Sequence, residues 1–131
     1  PVSVGNITVP MFCVGTASAH IAPWRSVDKL HLLSSAELTF VLTTGGHNGG
    51  IVSEPGRDKR QYQIHTRAVN EGYMAPDEWQ AMAQTHPGSW WPAWSAWLRE
   101  RSGEGVAPPL MGAESNGYPT ICDAPGEYVR S

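Results

Sequence analysis

A chain of 131 residues, 40% of them hydrophobic, is the size of one domain or a piece of a larger one. It carries enough apolar mass for a packed core and is no disordered tail. The net charge is −3, and the densest cationic cluster, Arg57, Lys59 and Arg60 with Asp58 inside it, makes no basic stripe and reads as a solvated turn, so nucleic acid is excluded as the natural partner.

Cys13 and Cys122 stand far apart with no C-x-x-C pairing, which argues against a disulfide framework or a zinc site and for a reducing compartment. No apolar run approaches the roughly 20 residues of a membrane span, and no signal peptide is visible. The chain opens at Pro1 rather than Met, so the expectation is that polypeptide lies upstream or has been removed.

Residues 7–14, I-T-V-P-M-F-C-V, read as a strand buried on both faces. Pro10 lacks an N–H, so this strand sits near a sheet edge or begins after the proline. Ala22-Pro23-Trp24 opens a helix, because proline suits the first turn. Trp24, Val27, Leu30 and Leu33 then recur as one apolar face. Residues 38–44, L-T-F-V-L-T-T, form a second strand. Strand, helix and strand over 7–44 make a βαβ unit, with parallel strands and a right-handed crossover.

Residues 45–60 hold the His47 loop, in which four glycines flank one histidine. Such a loop needs unusual backbone angles or close approaches. Residues 61–65 alternate weakly, as a short strand would. Helices are expected within 76–103: one over 76–85 with Trp79, Met82 and Ala83 on one side, and one capped by Ser89, carrying Trp90, Trp91, Trp94, Trp97 and Leu98 and ended by Gly103. Residues 104–131, rich in Gly and Pro, read as an extended tail lying on a surface.

Two confident parallel strands cannot stand alone, because parallel sheets need both faces and their edges covered. The chain therefore packs against another chain or belongs to a larger α/β protein.

In doubly wound α/β proteins the chemistry gathers at the carboxyl ends of strands. Here those ends lead into residues 15–24 and into Gly45-Gly46-His47-Asn48. Four motifs are recognisable. They are His20-Ile21-Ala22-Pro23-Trp24-Arg25-Ser26-Val27, the stretch 38–56, Gly88-Ser89-Trp90-Trp91-Pro92-Ala93-Trp94, and Asp123-Ala124-Pro125-Gly126-Glu127-Tyr128-Val129. Their order and distances, over about 9–129, resemble the C-terminal third of class I-type polyhydroxyalkanoate synthases.

The resemblance implies the C-terminal part of an α/β-hydrolase fold, with residues 1–131 a partial catalytic domain. It implies an acyltransferase that polymerises (R)-3-hydroxyacyl-CoA into polyester and releases CoA. A Cys nucleophile carries the chain, a His serves as general base and an Asp near the His assists. His47 matches the His position. Imidazole titrates near neutrality and can take and return a thiol proton.

The Asp that the family pattern has before His-Ile-x-Pro-Trp is Ala19 here. Losing an orienting carboxylate can cost about four orders of magnitude in rate in serine-protease triads. Asp28, two helical turns on, is a poor replacement. No G-x-C-x-G elbow occurs in the chain. Cys13 reads as a small strand hydrophobe and Cys122 as incidental. His20 and Trp24 are candidates to line the site. His31, His65 and His86 show no metal spacing. The Trp-rich helix reads as a core or docking face before a polymer platform.

The expectations are therefore an acyltransferase fragment needing no cofactor or metal, with a CoA thioester as substrate. Its partners would be the rest of the synthase or another chain, (R)-3-hydroxyacyl-CoA, polyester and a second copy in a homodimer. Its place would be the cytoplasm, at the granule surface. The competing readings are a non-catalytic module docking on a synthase or granule protein, and a polymer-degrading esterase.

Overall fold

The structure is a computed structural model that describes residues 3–57 and 59–131. Two compact units divide it, Pro1–Arg101 and Ser102–Ser131.

The first unit is mixed α/β. Strand β1 (Met11–Thr16) leads through helices α1 (Trp24–Asp28) and α2 (Leu30–Leu33) to β2 (Leu38–Thr43). Strand β3 (Gln61–Arg67), helix α3 (Pro76–Met82), strand β4 (Gln84–Pro87) and helix α4 (Trp91–Glu100) follow. The strands form one sheet in the order β1-β2-β3-β4. β1 and β2 are parallel, as expected for a βαβ unit, while β3 and β4 add on antiparallel.

Several expectations need correction. β1 starts after Pro10 and lies at the sheet edge, as the proline implies, but four of its six residues are only half-buried where burial on both faces was expected. The sheet has four strands where two were confident. The helix expected over 76–85 stops at Met82, and Gln84–Pro87 is a strand. That strand is polar and carries a proline, so it shows no periodicity and suits an edge. Of the expected apolar side of α3, Trp79 and Ala83 are buried but Met82 is exposed. The last helix ends at Glu100 rather than near Gly103.

Side-chain alternation sorts the sheet into two faces. On one, Phe40 and Leu42 pack with Trp24, Trp79 and Ala83 into the hydrophobic core, and Cys13, Val27 and Met74 lie against it. The Phe40 and Trp79 rings meet edge-on with centroids 5.0 Å apart. On the other, Phe12 packs on Trp90 and Trp97 at the two ends of α4, with centroids at 6.2 and 5.6 Å.

The α1–α2 segment presents only the first half of the apolar face that its spacing predicts: Trp24 is buried and Val27 lies against the core. Its buried side chains are Trp24, Asp28 and His31, and Leu33 is exposed. Buried Arg67 of β3 donates to the carbonyls of His31, Ser34 and Ala36, each at 2.7 Å. A guanidinium with its fork of donors satisfies the last, otherwise unpaired carbonyls of a helix. Arg67 thereby ties the end of α2 and the turn after it to β3.

The second unit is not simply extended. Ala113 and Tyr118 bridge across a short turn of 3-10 helix, Glu114–Asn116. Another such turn, Tyr128–Arg130, lies near the end. Val106, Leu110, Met111 and Ile121 are largely exposed. Among the described residues no helix is long and apolar enough to cross a membrane.

Candidate active site

Because β1 and β2 are parallel neighbours with Thr16 opposite Thr43, their following loops emerge side by side. Two backbone hydrogen bonds continue the pairing past the sheet: Ala17 N–H to Thr43 O at 2.9 Å and Ser18 N–H to Gly45 O at 3.1 Å. The first loop carries Ala19 and His20, the second His47. The His20 and His47 rings lie edge to face with centroids 6.3 Å apart.

Ala19 and His47 line one small cavity of about 140 Å³, together with Thr16, Ala22, Val27 and Ile51. Ala19 is buried. Among the described residues of this lining, His47 is the one titratable side chain and no carboxylate faces it. Trp24 points elsewhere: it is buried in the core against Phe40 and Trp79 and is absent from the cavity wall.

Glycine is required at two points of the His47 loop. Gly45 has φ +105°, where side chains are strained. A Cβ on Gly50 would stand 2.6 Å from Thr16 Cγ2 and 2.9 Å from Gly46 O, so this loop closes directly onto the end of β1. Inside the loop, Gly50 N–H bonds Gly46 O and Val52 N–H bonds Asn48 O, both at 2.8 Å. Arg60, expected in a solvated turn, is half-buried and reaches Thr44 O at 3.5 Å. Asp58, the acidic member of that cluster, lies outside the described residues.

Sequence reasoning missed the residues that hold this loop from the other side. The Trp90 indole N–H donates to Gly50 O at 3.0 Å and the Trp91 indole N–H to Ile51 O at 2.9 Å. The Ser89 hydroxyl donates to Ser53 O, and its oxygen accepts the Trp91 backbone N–H at 3.0 Å, close to the capping role expected of it. The signal was present as three consecutive donor side chains, but donors do not name their acceptors.

Among the described residues, none of the other acidic and nucleophilic candidates in the first unit lines the His47 cavity. Glu54 pairs with Arg57 at 2.7 Å. Glu78 accepts the Ala75 N–H at the start of α3. Neither oxygen of buried Asp28 has a hydrogen-bond partner among the described residues. The His31 imidazole Nε2 stands 3.8 Å from its Oδ1. Burial raises the Asp28 carboxyl above its ordinary range, only partly offset by Arg25. Burial pushes His31 down to about 4, and the Arg67 and His65 charges add to that. Both shifts are toward the neutral form of the group.

Burial also raises the Cys13 thiol, a backbone hydrogen bond at Val14 opposes this, and Asp28 adds to the rise. A thiol held protonated is a poor nucleophile. Cys122 is exposed in the second unit.

Fold and site together define an α/β protein with a histidine-bearing cavity at the carboxyl ends of two parallel strands. No protein-family model matches the chain. It is 36% identical over 131 residues to the poly(3-hydroxyalkanoate) polymerase subunit PhaC of Cupriavidus necator, covering all of this chain and 21% of that protein. It is 37% identical over 125 residues to a poly(3-hydroxyalkanoate) polymerase of Methylorubrum extorquens, covering 95% and 20% respectively. Against poly(3-hydroxyalkanoate) polymerase 2 of Ectopseudomonas oleovorans the identity is 33% over 129 residues, 98% of this chain and 22% of the relative. The chain belongs to the poly(3-hydroxyalkanoate) polymerase family, and spans about a fifth of the length of these relatives.

Proposed function

We propose that this chain is the C-terminal portion of an α/β-hydrolase-type acyltransferase that builds polyester from (R)-3-hydroxyacyl-CoA. Its contribution is His47, the general base; the Cys nucleophile comes from polypeptide outside the chain. The observation that carries the proposal is the shared cavity of Ala19 and His47 at the ends of β1 and β2, where such enzymes assemble acid and base.

In this account His47 takes the proton of the Cys thiol. The thiolate attacks the acyl thioester carbonyl, and the C–S bond to CoA breaks. The departing CoA thiolate recovers the proton from the imidazolium, leaving the acyl group on the Cys. His47 then takes the proton of the hydroxyl on a further 3-hydroxyacyl-CoA, whose oxygen attacks the carbonyl of the Cys thioester. The ester bond forms as the C–S bond to Cys breaks, and the Cys thiolate recovers the proton from the imidazolium. No cofactor or metal enters either step.

Ala19 cannot orient the imidazole, and neither Cys13 nor Cys122 lies in a nucleophile elbow. The 131-residue chain alone is therefore inactive. CoA release from (R)-3-hydroxybutyryl-CoA, followed with a thiol reagent, is expected at background; release above background by the purified chain refutes the proposal.

The carboxylate-free cavity also favours a second reading, a non-catalytic module docking on a synthase, on a granule protein or on a second copy of itself. The coding sequence upstream of Pro1 separates the two. The first predicts an in-frame G-x-C-x-G elbow; the second predicts a start codon and no elbow. Both place the protein in the cytoplasm at the polyester granule surface.

A further inference from the structure

We infer that Ser89, Trp90 and Trp91 are positioning residues for His47, a latch that fixes the histidine loop to the sheet. The inference rests on His47 being the working base, and gives a role to a motif that carries no chemistry of its own.

Three consecutive side chains donate to three carbonyls of one loop: Ser89 to Ser53, Trp90 to Gly50 and Trp91 to Ile51. Gly50 is the key acceptor. Its carbonyl receives the Trp90 indole, while its own N–H closes onto Gly46 O at 2.8 Å. Holding Gly50 therefore holds peptide units on both sides of His47. Trp90 is itself buried, and its ring stacks on Phe12 of β1 at 6.2 Å. A continuous path runs from the sheet through Phe12, Trp90, Gly50 and Gly46 to His47.

A purely apolar role for the tryptophans does not account for this pattern. Trp94 and Trp97 belong to the same aromatic cluster, yet neither is seen to donate to the loop, and the Trp97 indole nitrogen is buried without a hydrogen-bond partner among the described residues. A base must be held in register with its substrate to act, since small misplacements cost rate. A loop with four glycines around the histidine cannot supply that rigidity by itself. The latch supplies it with neutral hydrogen bonds, shielded in part by the aromatic rings.

The test uses the 131-residue chain with Trp90→Phe, Trp91→Phe, Ser89→Ala and, as control, Trp94→Phe. Two readouts are native-state hydrogen exchange and the His47 imidazole cross-peak in carbon–proton NMR spectra. Trp90→Phe should speed exchange at the Gly50 and Val52 amides by about tenfold, the upper range for one hydrogen bond. The β2 amides should stay within about twofold of wild type. The His47 peak should broaden or split, with His65 and His86 unchanged. Trp94→Phe should do none of this. Should Trp90→Phe unfold the chain, Trp91→Phe and Ser89→Ala carry the same test.

Loop and β2 amides accelerating together, or a loop that does not respond, would overturn the latch. Neither readout depends on acyl transfer, so a failure of the latch and a failure of the proposed reaction are told apart.

Discussion

At the scale of single residues, the site is defined as much by what a side chain would strike as by what it offers. Gly50→Ala places a methyl group within 2.6 Å of Thr16 Cγ2 and 2.9 Å of a backbone oxygen. Forcing the loop off β1 should cost about 1–3 kcal/mol, measured by urea denaturation; a loss under about 0.5 kcal/mol would mean that the loop does not seat there. His31 gives a second residue-scale prediction. Its folded value of about 4 lies below the ordinary 6.5. Between these values the unfolded state binds more protons, so stability present above pH 6.5 is lost as pH falls toward 4, by up to about 1.4 kcal/mol per pH unit. Asp28, raised by burial, acts oppositely: its contribution is present at acid pH and is lost as pH rises through its folded value. Wild type should therefore lose more stability than His31→Leu between about pH 6.5 and about pH 4.5. Parallel pH curves would remove His31 as the cause. The glycine-rich loop around His47 was legible at this scale because its glycines and neighbouring motif residues mark it. The Asp28–His31 pair was not, since nothing local announces that a polar helix face will turn inward.

At the scale of elements, the parallel pairing of β1 and β2 was readable from two β-branched, apolar runs separated by a helix. β4 was not, because Gln84-Thr85-His86-Pro87 has no hydrophobic alternation and owes its pairing to β3. The end of α2 is tied in the same way to a distant residue, Arg67, 31 to 36 positions further along the chain than its three acceptors. Arg67→Ala leaves those carbonyls buried without a donor. The expected cost is about 3 kcal/mol or more, and Arg67→Lys should not restore it, because an ammonium cannot reproduce the fork. A thermal melt of both variants decides this: recovery to wild-type stability by the lysine variant would contradict the forked contact. Phe40→Ala probes the apolar part of the same sheet face. Phe40 is fully buried and meets Trp79 edge-on, so a loss of about 3–5 kcal/mol is expected, read from the urea midpoint. A loss below about 1.5 kcal/mol would move the core elsewhere.

At the scale of the whole molecule, the family was legible from four motifs, while the division into Pro1–Arg101 and Ser102–Ser131 was foreshadowed only by the Gly- and Pro-rich composition after residue 103. Chain length carries a further consequence. On the proposed function, a stretch matching about a fifth of its relatives supplies one side of an active site, with a base and a cavity but no nucleophile. The account turns on Ala19, which lines that cavity with His47 where a carboxylate is expected. The most direct measurement grafts this chain onto the nucleophile-bearing part of the Cupriavidus necator relative in place of its matching segment. CoA release from (R)-3-hydroxybutyryl-CoA is then compared with Ala19 and with Ala19→Asp. The account predicts a gain of about 10³–10⁴-fold from the restored carboxylate, abolished by a further His47→Ala. Equal rates for Ala19 and Ala19→Asp in a folded, substrate-binding graft would contradict it.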